Sequence, residues 1–147
     1  MSRSKDIGTW AETQTVRAFE RAGIPAHRPG LRGVLDHGDV WAANGAIVVE
    51  VKAGEQTRKP SWTQLTAWWQ ETLREADRVP ACDVALLVLR RWGSGKAEDW
   101  TAYISVADLM FLAGNEPPHG WAADIPVAVP LHHLLPLAAA RYTEVNA

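Results

Sequence analysis

Asp39, Glu50 and Lys52 are the residues of this chain whose types and spacing could do chemistry. They fall in the stretch from Leu35 to Lys52, which reads as a β-hairpin. Asn44-Gly45 is a strong signal for a two-residue type I′ turn, because both central positions need positive φ. With that turn, opposed positions sum to 89, Ala43 faces Ala46, and Asp39 stands opposite Glu50. Side chains alternate along a strand, so Glu50 and Lys52 share one face while Val49 and Val51 take the other. Like charges opposed across a sheet repel, and a divalent cation reverses that sign. Mg²⁺ is commonly held by one or two carboxylates, with water and substrate phosphate completing its shell. A lysine two residues beyond the second carboxylate could steady an attacking water or a phosphate oxygen. The plainer alternative is a hairpin with a solvated polar face. Against it, Ile47-Val48-Val49-Glu50-Val51-Lys52 is apolar enough to be a central strand, where charges are rarely buried without a partner.

Other polar residues gather around this stretch. Asp36 is a further carboxylate, which alternation turns to the opposite side from Asp39 unless Gly38 introduces a bulge. His37 falls opposite Lys52 and could line the site. Arg28 and Arg32 lie in the Pro- and Gly-rich stretch from Pro25 to Gly33, an edge strand or ordered loop before the hairpin. Guanidinium forks there suit phosphate oxygens. Arg58 and Lys59 follow the second strand and suit DNA backbone contact. Thr9-Trp10-Ala11-Glu12 and Ser61-Trp62-Thr63-Gln64 both read as capping boxes, so Glu12 and Gln64 have a structural explanation as well as a functional one.

Gly38-Asp39-Val40 followed by Glu50-Val51-Lys52 resembles the bipartite Asp…Glu-x-Lys motif of the PD-(D/E)xK nuclease superfamily. The order of helix, Arg28, Gly30 to Gly33 and hairpin is most similar to Holliday junction resolvases of archaeal type and their phage-encoded relatives, over roughly Lys5 to Leu112. Gly38 stands where the superfamily's name has a proline, a departure that many members share. The resemblance implies a Mg²⁺-dependent DNA endonuclease, with Mn²⁺ as a substitute, acting on four-way junctions as a homodimer. It implies that Asp39, Glu50 and the Val51 carbonyl hold the metal and that Lys52 orients the attacking water. It also implies that Glu12 points into the site and that Gln64 lies near it. Alternatives are a restriction-like or recombination-associated nuclease on duplex or ended DNA, or a DNA-binding protein of the same fold with little catalysis.

The elements that must position these residues read as α/β. A helix is expected from Thr9 to about Ala22, after a flexible lead and closed by Gly23. The hairpin follows, then a helix from Ser61 to Ala76 with Trp62, Leu65, Trp69 and Leu73 on its apolar face. Asp83 to Leu89 reads as a buried strand, Trp100 to Ile104 as another, and Ser105 as the cap of a short helix. Together these make a restriction-endonuclease-like core, a mixed sheet flanked by helices, over residues 1–114. Residues 115–147 read as a Pro-rich arm and an apolar segment that packs on the core or on a dimer partner, with Pro136 kinking any helix there.

At 147 residues and 47% hydrophobic, the chain suits one domain with a real core. Its single Cys82 excludes an intrachain disulfide, and it carries neither a membrane-length apolar run nor a signal-peptide pattern, so the expected home is the cytoplasm (a host's, if the chain is phage-encoded). The net charge of −2 does not advertise nucleic-acid binding. It divides unevenly, however. Residues 1–60 hold nine Lys/Arg and seven Asp/Glu, while the rest hold six and ten. Most of the eight tryptophans suit core stripes. Trp41, on the Asp39 face, could instead stack on bases.

Overall fold

The computed structural model describes residues 3–30 and 36–143. Arg32 and the start of the expected hairpin at Leu35 lie outside the described residues. Four helices flank one six-stranded mixed sheet whose strands lie in chain order. These are β1 (Ala26–His27), β2 (Val40–Ala42), β3 (Ile47–Lys52), β4 (Val84–Leu89), β5 (Thr101–Ser105) and β6 (Pro126–Pro130). Only β3 and β4 run parallel. A parallel pair needs a crossover, and α2 (Trp62–Asp77) lies within it.

The hairpin register is the one that the Asn-Gly signal and alternation give. Val40 pairs with Val49, Trp41 with Val48 and Ala42 with Ile47, all summing to 89. Asn44 and Gly45 both have positive φ, and the Ala46 amide donates to the Ala43 carbonyl. Ala43 is also left-handed at φ 52°. The strands therefore close at Ala42 and Ile47, and the expected Ala43–Ala46 strand pair is absorbed into the turn.

Alternation then sorts β3 between two layers. Ile47, Val49 and Val51 join a continuous core with Ala11, Ala18 and Phe19 of α1 (Arg3–Arg21), the inner residues of β4 and β5, and Leu131, Leu134, Leu135 and Ala138 of α4 (Leu131–Thr143). Val48, Glu50 and Lys52 face α2. The apolar packing there is split in two. One group is Val48, Ala76, Val79 and Ala85; the other is Trp68, Trp69, Leu87 and Leu89.

Several elements differ from the sequence reading. Helix α1 starts at Arg3, not at a Thr9 cap. Ile7 and Trp10 both pack on the core, so the apolar stripe runs back through Gly8 and carries the helix with it. Thr9 is an interior residue whose carbonyl accepts from the Thr13 hydroxyl. Trp62 is 81% exposed and not part of the core. At about 100° per residue, the buried face of α2 runs through Leu65, Trp68, Trp69, Thr72 and Ala76, and Trp62 lies at its edge. Ser61 does cap this helix, its hydroxyl accepting from the Gln64 amide. Short helix α3 (Val106–Leu112) is capped by Ser105, as expected. Within the expected arm, residues 126–130 form β6 at the sheet edge, paired with β5. Pro126 and Pro130 occupy its ends, and an edge strand tolerates proline. Helix α4 runs through Pro136 and packs on this chain's own core. Among the described residues, no helix is long and apolar enough to cross a membrane.

Candidate active site

The β2–β3 ladder ends beside Asp39. The Asp39 amide donates to the Val49 carbonyl at 2.9 Å. Its carboxylate Oδ2 then accepts from the Val51 amide at 2.8 Å, where β2 no longer supplies a backbone partner. Asp39 is thus held opposite Glu50 by both its backbone and its side chain. Val51 points its carbonyl the same way as Val49, by the two-residue period of a strand, and so toward the opening where the two strands part.

Gly38 permits this arrangement. It has φ +95°, and a Cβ there would lie 2.6 Å from Val48 Cγ1. A proline, fixed at negative φ, fits neither the backbone nor the space. Asp36 is exposed, and its charge acts on Glu75. Asp36 Oδ1 accepts from the Gly38 amide at 3.3 Å, and the Asp36 carbonyl accepts from Arg78. His37 does not reach a paired position opposite Lys52, because β2 begins at Val40. Its ring lies edge-on to Trp41 at 5.3 Å, and its carbonyl accepts from the Trp41 indole.

Glu50 is 4% exposed, on the face turned to α2. Its Oε1 lies 3.1 Å from Lys52 Nζ, and Lys52 also reaches Glu71 at 3.3 Å. The other oxygen, Glu50 Oε2, is buried without a partner, and so is Glu75 Oε2. Carboxylate oxygens of Glu50, Glu71 and Glu75 lie within 4.8 Å of one another. Burial, then the facing Glu75 and the Asp39 charge, push the Glu50 carboxyl far above the usual range, with Lys52 pulling against them. Burial raises Glu75 to about 7, the facing Glu50 carboxyl opposing it and the charges of Asp36, Glu71 and Asp39 adding to it. Burial thus favours the protonated form at both carboxyls. Burial alone would depress Lys52, but Glu50 and then Glu71 outweigh it and hold the ammonium above its ordinary value.

Glu12 is no helix cap. It accepts from Arg28 Nε at 2.9 Å, and Arg28 Nη2 lies 2.7 Å away. Its carboxyl is raised first by burial and next by Asp39 beside it, with Arg28 opposing both. The expected site residues Glu12, Asp39, Glu50 and Lys52 are therefore brought together. Arg28 joins them by holding Glu12.

The Gln64 backbone amide donates to the Ser61 cap, and Gln64 is two turns from Glu71 on the same side of the helix. Arg58 and Lys59 are exposed on the loop before α2. Arg58 pairs with Glu55 at 3.1 Å and stacks on Trp92. The sequence reading missed Glu71 and Glu75. Their signal was present: Gln64, Glu71 and Glu75, seven and four residues apart, lie along one edge of α2's buried face.

The donor set fits a hard divalent cation. It is made of carboxylate oxygens, and two of them are buried with nothing to satisfy them. Such orphans are costly without a proton or a cation. Glu50 belongs both to the Asp39 side and to the Glu71–Glu75 side, so either group could complete a site with it. Comparison with protein-family models, with curated proteins and with solved structures finds no match.

Proposed function

We propose that this chain is a metal-dependent DNA endonuclease of PD-(D/E)xK type, with a four-way junction as its preferred substrate. The observation that carries the reading is Glu50: a buried carboxylate at the end of the third strand, opposite Asp39, with one oxygen on Lys52 and the other unpartnered. A hydrolytic site for phosphodiesters needs such a concentration of anionic ligands beside one fixed cation, and a purely structural sheet does not.

Asp39, Glu50 and the Val51 carbonyl would hold Mg²⁺ or Mn²⁺, with Glu75 available on the α2 side. When bound, the cation supplies an activated water and offsets charge on the phosphate and the leaving oxygen. Lys52 keeps its charge at neutral pH and places an N–H donor where a water or a non-bridging phosphate oxygen would lie. Glu71 also holds the ammonium and limits its swing. Arg28 orients Glu12 against Asp39. Burial favours the protonated forms of Glu50 and Glu75, so a cation would have to displace protons before both carboxylates act as ligands, and its binding should tighten as pH rises.

A junction has near two-fold symmetry and two scissile strands, which a two-fold dimer would match with two sites. The test is Mg²⁺-dependent cleavage of a synthetic four-way junction beside its matched linear duplex, with Asp39→Asn and Lys52→Ala as controls. Paired cuts in the junction alone, lost in both variants, support a resolvase. Equal cutting of both DNAs removes the junction preference and leaves a nuclease acting on duplex DNA. Cutting by folded variants at the wild-type rate overturns the site.

A further inference from the structure

Beyond β4 the chain continues as Arg90-Arg91-Trp92 and builds a second pocket. A cavity of about 400 Å³ opens there, with Leu89 and Tyr103 as its floor and Arg58, Arg90, Arg91 and Trp92 around its rim. Among the described residues, none that lines it is acidic, in a chain whose net charge is −2. The Trp92 indole N–H donates to the Thr57 hydroxyl at 2.9 Å, and that hydroxyl donates to the Gly54 carbonyl at 2.7 Å. The ring so fixed carries two guanidinium groups, those of Arg58 and Arg90, each 3.8 Å from its centre. Arg90 also lies 4.9 Å from the Trp10 ring. Its Nε is buried without an acceptor, and its Nη1 makes only a long bond, 3.4 Å, to the Ala53 carbonyl. Competition for Arg58 comes from Glu55, an exposed pair of the kind that is weak in water.

Stacking on an indole sets the plane of a guanidinium and leaves its N–H edge for an oxyanion. Two such groups, with Arg91 beside them on an apolar floor, match a nucleotide: phosphate at the rim, planar base within. A paired duplex keeps its bases stacked inside and offers only its backbone, so an unpaired nucleotide is what reaches the floor. Leu89 is the cross-strand neighbour of Lys52, and the Arg90 amide donates to the Lys52 carbonyl at 2.9 Å. Adjacent strands are about 4.8 Å apart, so the pocket begins one strand away from the candidate catalytic lysine.

We propose that this pocket receives one unpaired nucleotide of a DNA strand beside the scissile bond, with its phosphate on Arg58 and Arg91 and its base over Leu89 and Tyr103. The placement beside a scissile bond rests on the nuclease reading, whereas the pocket's ligand chemistry does not.

The test is fluorescence anisotropy in EDTA, with a duplex carrying a short single-stranded gap and the same duplex fully paired. The proteins are wild type and the Arg58→Gln/Arg91→Gln double variant, both positions being exposed so that folding is not at risk. The variant should bind gapped DNA about tenfold or more weakly, with a salt slope lower by roughly 1.4 for two lost single-strand phosphate contacts. Affinity for the paired duplex should fall by clearly less than for gapped DNA, because only the general electrostatic contribution of the two arginines is lost there. Equal loss on both DNAs, or no loss on either, overturns the pocket. Deoxyadenosine 5′-monophosphate serves as competitor. Tight mononucleotide binding without a preference for gapped DNA also overturns it, in favour of a free-nucleotide site. Cleavage in Mg²⁺, measured in parallel, separates the two claims. Wild type that binds gapped DNA through these arginines but cuts nothing keeps the pocket and removes the nuclease. Wild type that cuts, with an unaltered double variant, does the reverse.

Discussion

The two faces of the sheet are built to different ends. Against α1 and α4, β3 contributes Ile47, Val49 and Val51 to one unbroken apolar core. Against α2, the same strand contributes Val48, Glu50 and Lys52, and the apolar packing falls into two separate groups. Glu50, Lys52 and Glu75 belong to neither. Filling that break with hydrocarbon would serve stability better, because buried ionic groups often cost more than they return. The lesson is that the α2 face gives up packing at one point and places four charged side chains there, Glu50, Lys52, Glu71 and Glu75. A site that departs from the rules its own strand obeys elsewhere is where function is to be sought.

Substitutions on the two faces should therefore fail differently. The largest effect is expected for Lys52→Ala, which removes the charge proposed to lie beside the scissile phosphate. Cleavage should fall by about 10²–10³-fold, in a protein whose thermal unfolding shows that it remains folded. Leu134→Ala, on the continuous face, should cost about 2–5 kcal/mol. Unfolding should then occur on the order of 10 °C lower, at about 3 °C per kcal/mol for a domain of this size. Cleavage per folded molecule should be unaltered, and a rate loss comparable to that of Lys52→Ala would erase the distinction between the faces.

Glu75→Gln probes the break itself, in EDTA. A carboxyl raised to about 7 in the fold binds more protons folded than unfolded. Its contribution is complete below the unfolded value near 4.5 and is lost as pH rises to about 7. Glutamine mimics the protonated form, so the variant should match wild type at about pH 4 and unfold a few degrees higher at pH 8. Parallel stability curves across that range would contradict the raised Glu75 carboxyl. The smallest effect belongs to Trp62→Ala. Its side chain is 81% exposed, and stability should move by no more than about 0.5 kcal/mol. A larger loss in chemical denaturation would put Trp62 in the core after all.

Much of the sheet was legible because strand signals are local. Asn44-Gly45 sets the turn, alternation sets which residues face together, and the uninterrupted run from Val84 to Leu89 marks the parallel neighbour. Glu12 and Trp62 show where that reading stops. Gly8 and Thr9 look like helix punctuation, yet Ile7 and Trp10 find core contacts that pull the helix past them. That removes the capping explanation for Glu12 and leaves its pairing with Arg28. Several tryptophans along α2 fit more than one apolar stripe. Choosing the one with Trp62 rotates the helix and turns Glu71 and Glu75 toward water. Only packing on Val48 and Leu87 selects the other rotation. The prolines around β6 suggested an arm, but an edge strand tolerates them.

The central claim is that Glu50 is buried and unsatisfied because it serves a cation and a phosphodiester. Its most direct test is the cleavage rate of a four-way junction in Mg²⁺ by wild type and Glu50→Gln, with thermal unfolding recorded for both. The account expects cleavage by wild type, a loss of about 100-fold or more in the variant, and a retained fold, because glutamine has the shape of the carboxyl that burial already holds toward its neutral form. A folded Glu50→Gln protein that cuts as fast as wild type would contradict it.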